Sequence, residues 1–241
     1  MLQATAPYKI FFIGDSAVTI DFGNVISEDI SKKAILLFTY LSQHPVEGTI
    51  EVIPAYSSVT IYVNVSVLRK KISPEKRVYE WITRELHKIM LQNFEDTERE
   101  KNVVRMPVCY EDEFATDLHW LAKQNDIPPR DVIRLHTSRQ YRVYMLGFLP
   151  GFAYMAAVDD QIAVPRKTQP QWILAGSVGI AGKQTGIYPL NSPGGWQIIG
   201  RTPLKMFDKD KAQPCLLRAG DYVQFYSITK DEFEDHQSGG I

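Results

Sequence analysis

Side chains able to do chemistry gather between Ala175 and Phe207, in the stretch AGSVGIAGKQTGIYPLNSPGGWQIIGRTPLKMF. Ser177, Lys183, Gln184, Thr185, Tyr188, Trp196 and Arg201 alternate there with Gly176, Gly179, Gly182, Gly186, Gly194, Gly195 and Gly200, seven of the chain's 15 glycines. Glycine at this density is expected where backbone takes positive φ or lets another surface approach closely, since each one otherwise loses extra conformational entropy on folding. The stretch therefore reads as the frame of a surface that meets something. Three familiar sites fail there. A phosphate loop needs Gly, four residues, then Gly-Lys and a hydroxyl; here five residues separate Gly176 from Gly182, and Gln184 follows Lys183. The glycines recur at intervals of three, which does not match GxGxxG. Ser177 sits in GSVG, one residue short of the nucleophile elbow GxSxG.

Arg166 in AVPRKT and Arg201 in GRTP follow β-like, proline-punctuated backbone that can hold a guanidinium rigidly. Such an arginine binds carboxylate or phosphate through two parallel hydrogen bonds. Two readings of Tyr188 and Trp196 stay open: walls or anchors of a binding surface, or packing inside a β domain. His136, in LHTS ahead of a strand, is a candidate acid–base group or a hydrogen-bonded structural histidine. Glu113 and Asp117, four apart, can share one face of a helix start, as catalytic carboxylates or as partners of the helix dipole. The five histidines show neither HExxH nor ligand spacing with cysteine, so no metal site is expected.

The elements that must position these groups fall into two parts. Strand-like runs 8–13, 17–22, 50–54 and 58–63 alternate with two amphipathic helices. One is capped by Ser27 and runs to about Gln43; the other opens at Ser73-Pro74 and runs to about Leu91. The charged segment 92–101 reads as a linker, giving an N-terminal α/β domain over 1–95 and a second domain over 102–241. There a strand at 103–110, helices at 116–124 and 129–136, and a strand at 139–146 precede glycine-punctuated short strands and a closing strand at 221–228. That order favours a β-barrel or sandwich, with a loose tail from Gln237.

Composition bounds the function classes. The 241 residues carry 27 basic and 28 acidic side chains, so nothing advertises nucleic acid or an anionic membrane surface. Two cysteines, Cys109 and Cys215, make no disulfide framework. The longest uncharged apolar-rich stretch, Val143–Val158, is broken by Gly147, Pro150 and Gly151 and is too short to span a bilayer. A cytoplasmic location is the expectation, with neither nucleic acid nor membrane among the partners.

Longer strings carry a resemblance. GFLPGFAYM at 147–155, PR at 165–166 and the block at 175–208 resemble the family of KipI, PxpB and allophanate hydrolase subunit 1, as do GDSAVTIDFG at 14–23 and LLRAGDYVQF at 216–225. The chain departs from the family pattern at Glu111-Asp112, Ala153, Gln171 and Leu174. The resemblance implies an α+β protein whose N-terminal α/β domain is followed by a cyclophilin-like β-barrel domain. It also implies the B component of an ATP-dependent 5-oxoprolinase complex, which opens 5-oxo-L-proline to L-glutamate. Its partners would be the C component (KipA-like) and the A component (LamB/YcsF-like). ATP would act at the level of that complex, none being tightly bound to this chain, and the isolated chain would be inactive. Two rival functions go with the same resemblance: inhibition of a sporulation histidine kinase in the manner of KipI, or allophanate chemistry. On the 5-oxoprolinase reading, Arg166, Ser177, Gln184, Thr185, Tyr188, Trp196 and Arg201 form the substrate or partner surface, with glycines admitting partner backbone. The catalytic group is unknown, with His136, Glu113 and Asp117 as candidates.

Overall fold

The computed structural model describes residues 8–73, 77–92 and 101–238. The chain divides into two compact units, Met1–Arg99 and Glu100–Ile241; residues 93–100, most of the charged linker read from sequence, lie outside the described residues.

In the first unit, strands β1 (Lys9–Ile13), β2 (Ala17–Asp21), β3 (Thr49–Pro54) and β4 (Ser58–Val63) form an antiparallel sheet in the order β1-β2-β4-β3. Alternation sorts their side chains: Val18 and Ile20 of β2 and Val59, Ile61 and Val63 of β4 point to one face. They pack there with Leu37 and Leu41 of helix α1 (Glu28–Gln43). A short helix α2 (Val65–Lys71), unexpected from sequence, starts where Asn64 accepts the Val67 N–H at 3.1 Å. The next helix, α3 (Val78–Met90), adds Ile82 and Leu86 to the same core. It begins at Val78 with Arg77 as its N-cap, later than the expected start at Ser73-Pro74. Ser73 is not helical, and residues 74–76 lie outside the described residues.

The second unit is a closed seven-stranded barrel. Its strands are β5 (Val103–Cys109), β6 (Gln140–Leu146), β7 (Ala153–Ala156), β9 (Ser177–Ala181), β10 (Gln184–Ile187), β12 (Gln197–Arg201) and β13 (Tyr222–Ile228). Round the barrel they run β10-β7-β6-β13-β5-β12-β9, antiparallel except for the parallel β5–β13 pair. Strands β8 (Gln171–Ile173) and β11 (Ser192–Gly194) form a separate antiparallel ribbon. Helices α4 (Leu118–Gln124) and α5 (Pro129–Thr137) send Leu118, Leu121, Val132 and Leu135 into the core lined by Met106, Val143, Met155, Ile180 and Phe225. The barrel thus has a filled interior. A last helix, α6 (Lys230–Ser238), was not foreseen; Gln237 belongs to it, and 239–241 lie outside the described residues. The protein is α+β, with an α/β first unit and a barrel second unit.

Candidate functional site

Helix α4 begins two residues later than the sequence suggests, so Asp117 is its N-cap residue and Glu113 stays in the preceding turn. The two carboxylates therefore do not share a helix face. Glu113 pairs with Lys230 of α6 at 3.0 Å on the surface. Asp117 turns toward the barrel, where its Oδ2 accepts the Ile198 N–H at 2.7 Å and meets the Lys167 ammonium at 2.6 Å. The Lys167 and Asp117 side chains are only 10% and 17% exposed, so solvent screens this pair far less than it screens a surface ion pair.

That ion pair is one of several ties on residues 165–167. The Lys167 N–H donates to the Gly195 carbonyl at 2.7 Å, and the Gln197 side-chain amide donates to the Pro165 carbonyl at 3.2 Å. Lys167 Nζ also donates to Gln171 Oε1 at 2.6 Å. With Lys167 drawn inward, Arg166 is left exposed on the other side of the chain, its guanidinium carbon 5.8 Å from the centre of the Trp196 ring. This distance is within cation–π range.

Trp196 belongs to a cluster of aromatic rings. It meets Phe152 edge-on at 5.4 Å and Tyr154 at 5.8 Å. Phe152 meets Tyr188 at 5.1 Å, and Phe148, 61% exposed, closes over Phe152 at 5.6 Å. The buried Tyr188 oxygen accepts backbone N–H groups of Trp196 and Gly195; desolvation pushes its pKa up, opposed by those bonds and by the Arg166 charge. Burial likewise raises Tyr154, again against Arg166.

The glycines serve this packing. A Cβ on Gly186 would stand 2.9 Å from the Trp196 ring, one on Gly194 2.6 Å from Tyr188 Cζ, and one on Gly200 2.6 Å from Val108 Cγ1. Five of the seven, Gly176, Gly179, Gly186, Gly194 and Gly200, are buried against this chain's own atoms. The expectation that they admit partner backbone is overturned for these five. Gly182 is exposed and Gly195 is partly so.

The other expected surface residues also separate. Ser177 and Thr185 are buried on β9 and β10, Tyr188 and Trp196 are buried in the ring cluster, and Gln184 is half-buried at the start of β10. Arg201 donates through Nε to the Ala175 carbonyl at 2.8 Å, and its guanidinium lies 5.9 Å from the ring centre of Phe233. Desolvation lowers its pKa. Arg201 therefore belongs to a different neighbourhood from Arg166, and the seven residues do not form one face. Sequence reasoning missed Lys167, Phe148, Phe152 and Tyr154; the signal available was the aromatic density of GFLPGFAYM and the cation beside Arg166.

His136 is fully buried in the barrel, stacked on Phe225 at 4.4 Å. Thr185 Oγ1 donates to the Gly179 carbonyl at 3.1 Å, which leaves it to accept from His136 Nε2 at 2.9 Å. Nδ1 then accepts the Tyr110 hydroxyl proton at 2.8 Å. The order Tyr110 to His136 to Thr185 to Gly179 uses both ring nitrogens of a neutral imidazole. Desolvation lowers the His136 pKa from 6.5 to about 3. In this arrangement His136 is a strut of the barrel core, closed to solvent.

Among the described residues, no group of three or more His, Cys, Asp or Glu side chains could hold a metal ion. The glycine stretch does not form a phosphate loop. Lys183 is engaged by Asp160 at 2.7 Å, and Gly179 and Gly186 face each other in the β9–β10 pairing with their free side filled by Trp196.

A family profile described as the carboxyltransferase domain, subdomain C and D, matches residues 8–217. The chain belongs to this family. Within the carboxyltransferase-domain family, the B component of 5-oxoprolinase from Bacillus subtilis is 41% identical over 235 residues, covering 97% of this chain and 98% of that one. The protein of the same name from Escherichia coli O157:H7 is 35% identical over 222 residues, covering 90% and 94%. The crystal structure of TTHA0988 superimposes with a TM-score of 0.75 at 32% identity, over 88% of this chain and 39% of that longer one. The subdomain C and D profile thus covers the β1–β4 unit and all barrel strands except β13, including Arg166 and its ring cluster.

Proposed function

We propose that this chain is the B component of a 5-oxoprolinase complex, working with the C (KipA-like) and A (LamB/YcsF-like) components to open 5-oxo-L-proline to L-glutamate at the expense of ATP. The observation that carries the reading is the end-to-end likeness to the B. subtilis B component, 41% identical with almost nothing left over in either chain. The TTHA0988 match agrees with a shared task, because there this fold makes up 39% of a longer polypeptide. A module that works beside others can be supplied as a separate chain or as a section of one.

The division of labour follows from what this chain offers. The substrate is an anion with a small, largely apolar ring, and its lactam carbonyl is a poor electrophile. Arg166 offers charge complementary to the carboxylate. Phe148 and the half-buried Tyr154, both packed on Phe152, offer apolar surface that excludes water, which strengthens electrostatic contacts. The nucleotide chemistry falls to the assembled complex, since this chain's glycine stretch lacks the phosphate-loop pattern.

The test is ATP-dependent glutamate release from 5-oxoproline, measured for the lone chain and for the chain with both partner proteins. Release is expected only from the full set. Full activity of the lone chain overturns the division of labour. A full set that leaves 5-oxoproline untouched overturns the 5-oxoprolinase assignment, and suppressed autophosphorylation of a histidine kinase by the chain would then favour the KipI-type function.

A further inference from the structure

Arg166 is held in place by ties that do not use its charge. Proline before it, the Lys167 N–H bond to Gly195, the Gln197 amide bond to the Pro165 carbonyl and the inward Lys167–Asp117 pair all fix the backbone on which it stands. The neighbouring cation, Lys167, is neutralised by Asp117. Arg166 itself has no carboxylate within salt-bridge distance among the described residues; its contact is the face of Trp196. Trp196 in turn is locked by Phe152, Tyr154 and the bare Cα atoms of Gly179 and Gly186. Both the ring and the backbone beneath the guanidinium are therefore ordered before any ligand arrives, which lowers the entropy lost on binding. Arg201 offers a contrast: its Nε is already committed to a carbonyl oxygen and its charge is partly desolvated.

We infer that Arg166 is a carboxylate-recognition residue, with Asp117 and Lys167 as the positioning residues that keep it over Trp196. The planar fork takes both carboxylate oxygens, while the Trp196 ring, 5.8 Å from the guanidinium carbon, attracts the cation toward its face. The identity of the carboxylate rests on the proposed function: it is that of 5-oxoproline, or an Asp or Glu side chain of a partner protein seated on the same fork. The chemistry is shared, and the experiment separates the two sources.

The experiment uses the reconstituted set carrying Arg166→Ala, Arg166→Lys, Lys167→Met or Asp117→Asn in this chain. KM and kcat for 5-oxoproline are read together with the Kd for association of this chain with its partners. For a substrate carboxylate, R166A raises KM roughly 10- to 100-fold with kcat little changed and association intact, on the usual worth of a charge-assisted hydrogen bond. R166K falls between, because an ammonium keeps the charge but lacks the fork. The same substitution costs little for 5-oxoprolinamide, which has no carboxylate to lose. K167M and D117N raise KM by smaller factors, and neither adds to the effect once Arg166 is Ala; a purely structural role would add. For a partner carboxylate, R166A weakens association instead and leaves KM at saturating partner unchanged. If R166A changes neither KM nor association, the inference is overturned. A wild-type set without turnover overturns the functional reading alone, and the association measurement then decides Arg166.

Discussion

The buried imidazole of His136 gives the barrel an acid-sensitive stability. In the folded chain its pKa lies at about 3, against an ordinary 6.5, because burial disfavours the charged ring. The unfolded chain therefore binds a proton between those two values that the folded chain refuses. Stability falls with decreasing pH across that window, by about 1.4 kcal/mol per unit. At about pH 5 the loss from His136 alone is about 2 kcal/mol relative to about pH 8, and it reaches about 4 kcal/mol at about pH 3. Urea unfolding at a series of pH values measures this, followed by fluorescence of Trp120, Trp172 and Trp196 in the second unit. The comparison is with His136→Gln, which keeps hydrogen-bonding capacity but cannot take up the proton. The absolute stability of the variant will differ; the informative quantity is its slope against pH. His44, His87, His119 and His236 are exposed and are shared by both proteins, so their contribution cancels. Equal slopes in the two proteins, or an NMR titration of the His136 ring near 6.5, would refute the reasoning.

Three further substitutions test the packing by the same unfolding measurement. Gly176→Ala should cost more than about 3 kcal/mol, since φ is +84° and the new Cβ falls on the Thr202 carbonyl oxygen. Gly182→Ala should cost only about 1 kcal/mol, because φ is +58° but nothing lies within 4 Å; similar losses at the two positions would contradict the distinction drawn between them. Asn64→Ala should lower the stability of the first unit by about 1 kcal/mol through loss of the bond to the Val67 N–H, and an unchanged midpoint would contradict the capping role.

Periodicity and turn chemistry made most of the elements legible. Pro128-Pro129 set the start of α5, alternation marked β6, and the stripe through Ala34, Leu37 and Leu41 marked α1. Two helices escaped. Helix α2 has β-branched residues in its first turn and depends on a single Asn64 cap, while α6 buries one residue, Phe233, in an otherwise charged run. The site was legible by residue type and not by direction. A glycine row looks the same in sequence whether the space it leaves is taken by a partner or by the chain's own Trp196 and Tyr188. Arg166 and Arg201 also looked alike, each following proline-punctuated, β-like backbone. What separates them is contact across the fold: an inward lysine tied to Asp117 beside one, a carbonyl of Ala175 bonded to the other. Glu113 and Asp117 diverge for the same reason, each drawn to a lysine supplied from far along the chain.

The parallel pairing of β5 with β13 has a consequence for synthesis on the ribosome. These two strands are the first and last staves of the barrel, and Glu111 just beyond β5 accepts the N–H of Lys230 just beyond β13, 119 positions later. Until that late segment has emerged from the exit tunnel, β5 and β6 each keep an unpaired edge and the enclosed apolar side chains have no lid. The growing chain therefore carries an open, adhesive sheet through nearly the whole translation of its second half, the interval in which a chaperone has most to protect.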